Sequence, residues 1–137
     1  MWHTGRGVIV YDPNRGEMKR RTEHWCVINV DKEITRYYRW WIARELHVKG
    51  LCMPSWDAHI SVVRGEYIKP QLTHLWKKYH GQPVEFQYRH DVRCSNNTNK
   101  REQYWFVEVM CPLAKQIRDE FGMASDWNQH LTVAKIN

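Results

Sequence analysis

The order of apolar and polar residues divides the chain into short, well-marked elements. Residues 7–11, GVIVY, are an apolar run that Asp12-Pro13-Asn14 ends, with Gly16 soon after, which predicts a strand and a turn. Residues 24–30, HWCVINV, predict a second strand, with Trp25, Val27 and Asn29 on one face and Cys26, Ile28 and Val30 on the other. Ile34, Tyr38, Trp41, Ile42 and Leu46 recur at helical spacing. They predict a helix over 32–48, with Asp31 as N-cap and Gly50 and Pro54 closing it. A strand over 57–64 follows. Pro70 opens a second predicted helix, 70–80, on the stripe Leu72, Leu75, Trp76 and Tyr79, with Gly81 after its end.

Val84, Phe86 and Tyr88 share one face of an alternating stretch, 84–94. Residues 95–102, SNNTNKRE, contain no apolar residue and predict a hairpin tip. Residues 103–110, QYWFVEVM, have the composition of a strand. Pro112 suits the first turn of a third helix lined by Leu113, Ile117 and Phe121 and ended by Gly122. A last strand, 128–135, completes the chain. A strand, a helix and a strand thus occur twice over, as HWCVINV to HISV and as QYWFVEV to HLTV. One domain over 1–137 is expected, a sheet with helices on the side opposite its polar face.

The second strand of each unit carries the chemistry. Residues 56–62 read WDAHISV and residues 127–133 read WNQHLTV. Alternate side chains of a strand point the same way. His59 and Ser61 therefore share a face opposite Ile60 and Val62, and His130 and Thr132 share one opposite Leu131 and Val133. Two imidazoles facing one cleft are an acid and a base, because histidine titrates near neutral pH. Hydroxyls one pleat away are donors for phosphoryl oxygens.

Composition narrows the partners. Net charge is +6, which favours an anionic partner such as RNA, DNA or a nucleotide. Eight Trp and seven Tyr supply rings that can stack on bases, though most serve a core. The longest apolar runs fall well short of a membrane span. Cys26, Cys52, Cys94 and Cys111 form no C-x-x-C pair, which speaks against a zinc ribbon and for reduced thiols in a cytoplasmic protein. No cofactor, metal, membrane or obligate protein partner is expected.

His59-Ile60-Ser61-Val62 and His130-Leu131-Thr132-Val133 resemble the paired H-x-[ST]-hydrophobic motifs of the 2H phosphoesterase superfamily. That superfamily includes 2′-5′ RNA ligase-like enzymes, cyclic phosphodiesterases, phage proteins labelled Swiss-army-knife RNA-repair-like, and anti-CBASS nucleases. The spacing of the motifs resembles its compact members. The match is confined to His59, Ser61, His130 and Thr132, and Ser61 stands where Thr is commoner. The resemblance implies an α+β bilobal fold of two pseudo-symmetric lobes, with duplicated β-α-β units, a mainly antiparallel sheet lining a central cleft and helices outside. It implies a metal-independent phosphodiesterase with His59 and His130 as acid and base and Ser61 and Thr132 holding the phosphate. The substrate class expected is a small cyclic or 2′-5′ linked signalling oligonucleotide, as in phage counter-defence, in the host cytoplasm for a phage-encoded chain. Alternatives are RNA-end processing at 2′,3′-cyclic phosphates, or a non-catalytic RNA-binding module.

Secondary candidates for substrate contact are Tyr11, Trp56, Arg64, Trp127 and Lys135. Tyr11, at the end of the first strand, can reach a cleft edge. Trp56 and Trp127 lie three residues before their histidines, and continuous alternation puts them on the core side. Arg64 lies five residues after His59, and Lys135 five after His130. The same alternation turns both away from the histidines, towards solvent. His24, His74, His80 and His90 lack any repeated context and are assigned to surface or satisfied core positions.

Overall fold

The computed structural model describes residues 1–13, 24–52, 58–95, 103–124 and 129–136. Among these, seven strands form one antiparallel sheet: β1 (Trp2–Tyr11), β2 (Trp25–Val30), β3 (His59–Arg64), β4 (Pro83–Arg89), β5 (Arg93–Ser95), β6 (Gln103–Met110) and β7 (Gln129–Ile136). Their order is β4-β1-β2-β3-β7-β6-β5. Helix α1 (Lys32–Glu45) lies between β2 and β3, and α2 (Pro112–Glu120) between β6 and β7.

Local chemistry explains the helix ends. The Asp31 carboxylate accepts the Glu33 N–H at 3.0 Å and so caps α1. Pro112 begins α2, where its missing N–H costs nothing. Gly122, at φ 65°, follows the end of α2 in the left-handed conformation that glycine adopts most easily. The predicted helix over 70–80 is instead a short 3₁₀ segment, Pro70–Leu75. Trp76 is already extended, at φ −66° and ψ 136°, and Lys77 takes φ 73°, so the chain cannot continue as a helix there. The apolar stripe still does its work: Leu72, Leu75, Trp76 and Tyr79 all pack against the core.

The bilobal cleft expected from the motif resemblance is not what forms. β4 pairs along one edge with β1, from Trp2↔Arg89 to Val8↔Pro83, and its end pairs with β6 through Gln87↔Met110 and Tyr88↔Val109. The second pairing closes six strands into an antiparallel barrel, with β5 as an extra strand on β6 and two short helices besides. There is one continuous sheet where two lobes flanking a groove were expected. The stretch 84–94 accounts for this. It is two strands kinked at 90–92, of which β4 joins β1 to β6 and β5 covers the remaining edge of β6. Closure pairs the backbone groups that an open edge would leave to other chains. Periodicity along one segment cannot reveal that it serves two neighbours.

The two faces of the sheet differ sharply. Ile9, Ile28, Ile60, Leu131, Val107 and Phe86, on successive strands, lie on one face and are at most 1% exposed. Tyr38 and Ile42 of α1 and Ala114 and Ile117 of α2 belong to the same cluster. This is the core face. Gly7 of β1 lies on it with no room for a side chain, because an added Cβ would run into the Asn29 carbonyl and the Ile28 γ-methyl. Gly7→Val should therefore destabilise the protein by about 1–3 kcal/mol, the usual range for overpacking. Thr4→Val, at an exposed site of the same strand, is the control. Urea unfolding of the two variants measures the difference, and equal midpoints would contradict the tight β1–β2 approach.

Candidate functional site

β3 and β7 are neighbours in the middle of the sheet, and among the described residues they join through one register pair, Ile60↔Leu131. Both residues are fully buried on the core face. Continuing the antiparallel register by one residue each way sets His59 across from Thr132 and Ser61 across from His130. All four side chains are half-buried on the face opposite the core. The four groups form a square. The histidines occupy one diagonal and the hydroxyls the other, and a local two-fold passes between Ile60 and Leu131. Diagonal neighbours in an antiparallel pair are roughly 7–8 Å apart, within reach of long or aromatic side chains acting on one ligand.

The repeat extends further than the heptads suggest. β2 and β3 pair as Asn29↔His59, Ile28↔Ile60, Val27↔Ser61, then Cys26↔Val63 and Trp25↔Arg64. Val62 is passed over, so it is the extra residue of a β-bulge. β6 and β7 pair as Glu108↔His130, Val107↔Leu131, Phe106↔Thr132, then Trp105↔Ala134 and Tyr104↔Lys135, with Val133 passed over. The two bulges fall at the same place in each copy. A bulge shifts the alternation by one residue. Val62 and Val63 can then both be fully buried, as can Val133 and Ala134.

Arg64 and Lys135 consequently turn back to the histidine face. Arg64 pairs with Trp25, which shares its face with Val27, the partner of Ser61. Lys135 pairs with Tyr104, which shares its face with Phe106, the partner of Thr132. The placement of both cations opposite the histidines, expected from unbroken alternation, is thus corrected. The conserved order of the repeat is His, apolar, hydroxyl, Val, small apolar, cation: HISVVR and HLTVAK.

The bulge in β3 is fastened from below. Arg118 of α2, 4% exposed, donates from Nη1 to the carbonyl of Val62 at 2.9 Å. Its two Nη atoms also grip the Glu66 carboxylate at 2.7 and 2.8 Å, and its Nε bonds the Ala124 carbonyl. Glu66 in turn accepts the Arg64 N–H at 3.4 Å. Hydrogen bonds from the Arg118 guanidinium, chiefly, hold the Glu66 carboxyl below the usual carboxylate range. A buried arginine on α2 thus secures the backbone that aims Arg64.

The electrostatics of the square are uneven. Burial, and then the charge of Arg64, lower the pKa of His130 below the ordinary imidazole value. The Phe106 ring stands edge-on to the His130 ring with centroids 5.5 Å apart. Glu108, across from His130, is shared between Arg89 at 3.2 Å and Arg93 at 2.9 Å. The guanidinium of Arg64 sits over the Trp25 ring, 5.7 Å from its centroid. The histidine face therefore carries more positive than negative charge near the square. Phe106, Glu108, Arg89 and Arg93 were not singled out from sequence. Only the β6–β7 register and the strand bend at 90–92 bring them here.

Of the remaining candidates, Tyr11 is not at this site. It pairs with Cys26 on the core face, is 2% exposed, and packs edge-on against Trp76 at 4.8 Å. Burial raises its phenol far above the ordinary value, as expected of a core tyrosine. Trp56 and Trp127 lie outside the described residues. His90 accepts or donates a ring hydrogen bond with His3 at 3.1 Å, away from the square. A cavity of about 310 Å³ opens there, between α1 and β4, walled by Tyr37, Tyr38 and Tyr88. Tyr88 there shares the core face with Phe86, and the Tyr38 hydroxyl already donates to the His90 carbonyl at 3.0 Å. The repeated, convergent polar groups decide for the square.

Among the described residues no three His, Cys, Asp or Glu side chains gather around one possible cation site, and no helix is long and apolar enough to cross a membrane. No protein-family model matches the chain, and comparisons with curated proteins and with solved structures find no match.

Two measurements test this geometry. In an NMR titration His130 should titrate below the ordinary imidazole value, and Arg64→Gln should raise it part of the way back, because burial remains. A His130 pKa unmoved in the variant would separate the two side chains. Arg118→Met should destabilise the protein by about 2–3 kcal/mol, since it leaves the buried Val62 carbonyl without its donor and strips the Glu66 carboxylate of its guanidinium partner. Wild-type stability in urea would show that the bulge needs no fastening.

Proposed function

We propose that the chain is a metal-independent phosphodiesterase of the 2H type, acting on an RNA-type phosphodiester. The observation that carries this reading is the square, with two imidazoles on one diagonal and two hydroxyls on the other over a single strand pair. A phosphodiester has the matching symmetry. Its two bridging oxygens need a base and an acid on opposite sides, and its two non-bridging oxygens need donors.

His130 is the base of this scheme. Burial and Arg64 favour its neutral form, which can take a proton near pH 7. It removes the proton from the substrate's 2′-hydroxyl or from a water as that oxygen bonds to phosphorus. His59, in its protonated form, delivers a proton to the oxygen that leaves. Ser61 and Thr132 donate to the non-bridging oxygens as charge builds on them. Attack by a 2′-hydroxyl leaves a 2′,3′-cyclic phosphate and a 5′-hydroxyl. Attack by water leaves an ordinary monoester. Neither route calls for a metal.

The positive histidine face favours an oligonucleotide over a neutral substrate, and the substrate class we propose is a small cyclic or 2′-5′ linked signalling oligonucleotide met in the cytoplasm. The barrel differs from the bilobal build of the resemblance, so the 2H reading rests on the motif pair and its placement rather than on overall architecture.

The deciding assay is a panel of 2′,3′-cyclic mononucleotides, 2′-5′ oligoadenylate, 3′,3′-cyclic dinucleotides and single-stranded RNA, with products identified by mass. At least one should be cleaved in EDTA, with a bell-shaped pH dependence. His59→Ala and His130→Ala should each reduce turnover at least about 100-fold, the low end for loss of a general acid or base, while binding persists. Turnover that survives both substitutions would sink the assignment. Binding without turnover in the wild type would favour an RNA-binding module, and turnover confined to 2′,3′-cyclic ends would favour RNA-end processing.

A further inference from the structure

The duplicated bulges give the square two cationic flanks. On the ladder, Arg64 stands two pairs beyond Ser61, opposite Trp25, and Lys135 stands two pairs beyond Thr132, opposite Tyr104. Measured from Ile60 and Leu131, each cation lies three ladder positions out along its strand, about 10 Å at the rise of a strand. The strands are antiparallel, so the two cations lie on opposite sides of the local two-fold. Both are borne by long side chains that can lean inward, and the charge of Arg64 does reach His130. Each also has an aromatic ring as its cross-strand neighbour, and the Trp25 ring already holds the Arg64 guanidinium by a cation–π contact.

The hydroxyls of the square are enough for the two non-bridging oxygens of one phosphate. Cations further out, one on each side, have nothing to bind on a substrate with a single phosphate. We propose that Arg64 and Lys135 form two flanking phosphate subsites, so that the preferred substrate is a nucleotide chain, linear or cyclic, with a phosphate on each side of the one cleaved. This rests on reading the paired histidines as the phosphodiesterase centre. It makes a lone 2′,3′-cyclic mononucleotide a poor substrate, because such a ligand leaves both flanks empty. The origin of the subsites lies in the bulges: with unbroken strands Arg64 and Lys135 would face the other way, and the square would accept any phosphodiester alike.

The test compares two diadenylates with the same internal linkage, made in both 3′-5′ and 2′-5′ forms. ApA carries only the internal phosphate, whereas pApAp carries one more at each end. Binding is measured in the His130→Ala background, so the result does not depend on turnover, and kcat/KM is measured in the wild-type background. pApAp should bind more tightly than ApA. Arg64→Gln and Lys135→Gln should each weaken pApAp about tenfold, the loss expected for a charge-assisted contact. In the His130→Ala background each should leave ApA binding unchanged and lower the salt dependence of pApAp binding by about one phosphate contact. Arg64 is exposed, so its variant tests the subsite without threatening the fold, and thermal melting checks Lys135→Gln. Equal binding of ApA and pApAp, or equal losses on both ligands, would overturn the subsites. Failure of the histidine reading looks different: normal pApAp binding with its cation dependence, but no cleavage of any linkage by the wild type.

Discussion

Ile60 and Leu131 are the hinge on which the rest of the molecule turns. They join the two histidine strands, they are wholly buried, and their burial dictates which way every neighbour points. With those two side chains in the core, His59, Ser61, His130 and Thr132 have no choice of face. A slip of one residue in the β3–β7 register would put an apolar side chain where an imidazole belongs and a histidine in the core, which is costly on both counts. The site is thus specified by hydrophobic burial on the other side of the sheet.

The bulges add a second level of control. A continuous strand offers one polar position in two, which is enough for a histidine and a hydroxyl. To place a cation further along the same face, and still bury two adjacent apolar residues, the strand must break its alternation once. Val62-Val63 and Val133-Ala134 are those adjacent pairs. Two apolar residues in a row inside an otherwise alternating strand are the mark of such a break, and the sequence carries that mark in both copies. It was legible, but a parity count that assumes unbroken alternation reads past it and sends Arg64 and Lys135 the wrong way. What no local pattern contains is the fastening. Arg118 reads as an ordinary charged residue of a helix, and only the packing of α2 shows that it holds the carbonyl of Val62.

The same distinction separates what sequence could and could not foresee elsewhere. The strands and two of the helices follow from local signals: Asp31 as a cap, Pro112 as a first-turn residue, Gly122 as a terminator. The 70–80 segment misleads because its apolar spacing suits a helix while its backbone is set by tertiary contacts, with Trp76 donating to Asp12 at 2.8 Å and packing on Tyr11 and Phe121. Tyr11 was placed near a cleft because it ends a strand, yet its pairing with Cys26 assigns it to the core face. Barrel closure is the most distant from local signals of all. It depends on β4 pairing with both β1 and β6, a choice made between segments far apart in the chain.

Duplication explains why the chemistry and the fold coincide as they do. One β-α-β unit supplies a histidine, a hydroxyl and a cation in fixed order along a bulged strand. Antiparallel pairing of two such units then crosses the diagonals without further adjustment, because the two-fold that relates the strands also exchanges the two histidines. What distinguishes the halves is the environment each strand meets next. β7 lies against β6, which brings Phe106 and Glu108 beside His130, whereas β3 lies against β2, which offers Val27 and Asn29 at the corresponding places. The different neighbours, with Arg64 reaching across to His130, give the two rings unequal surroundings, which the proposed division into base and acid requires.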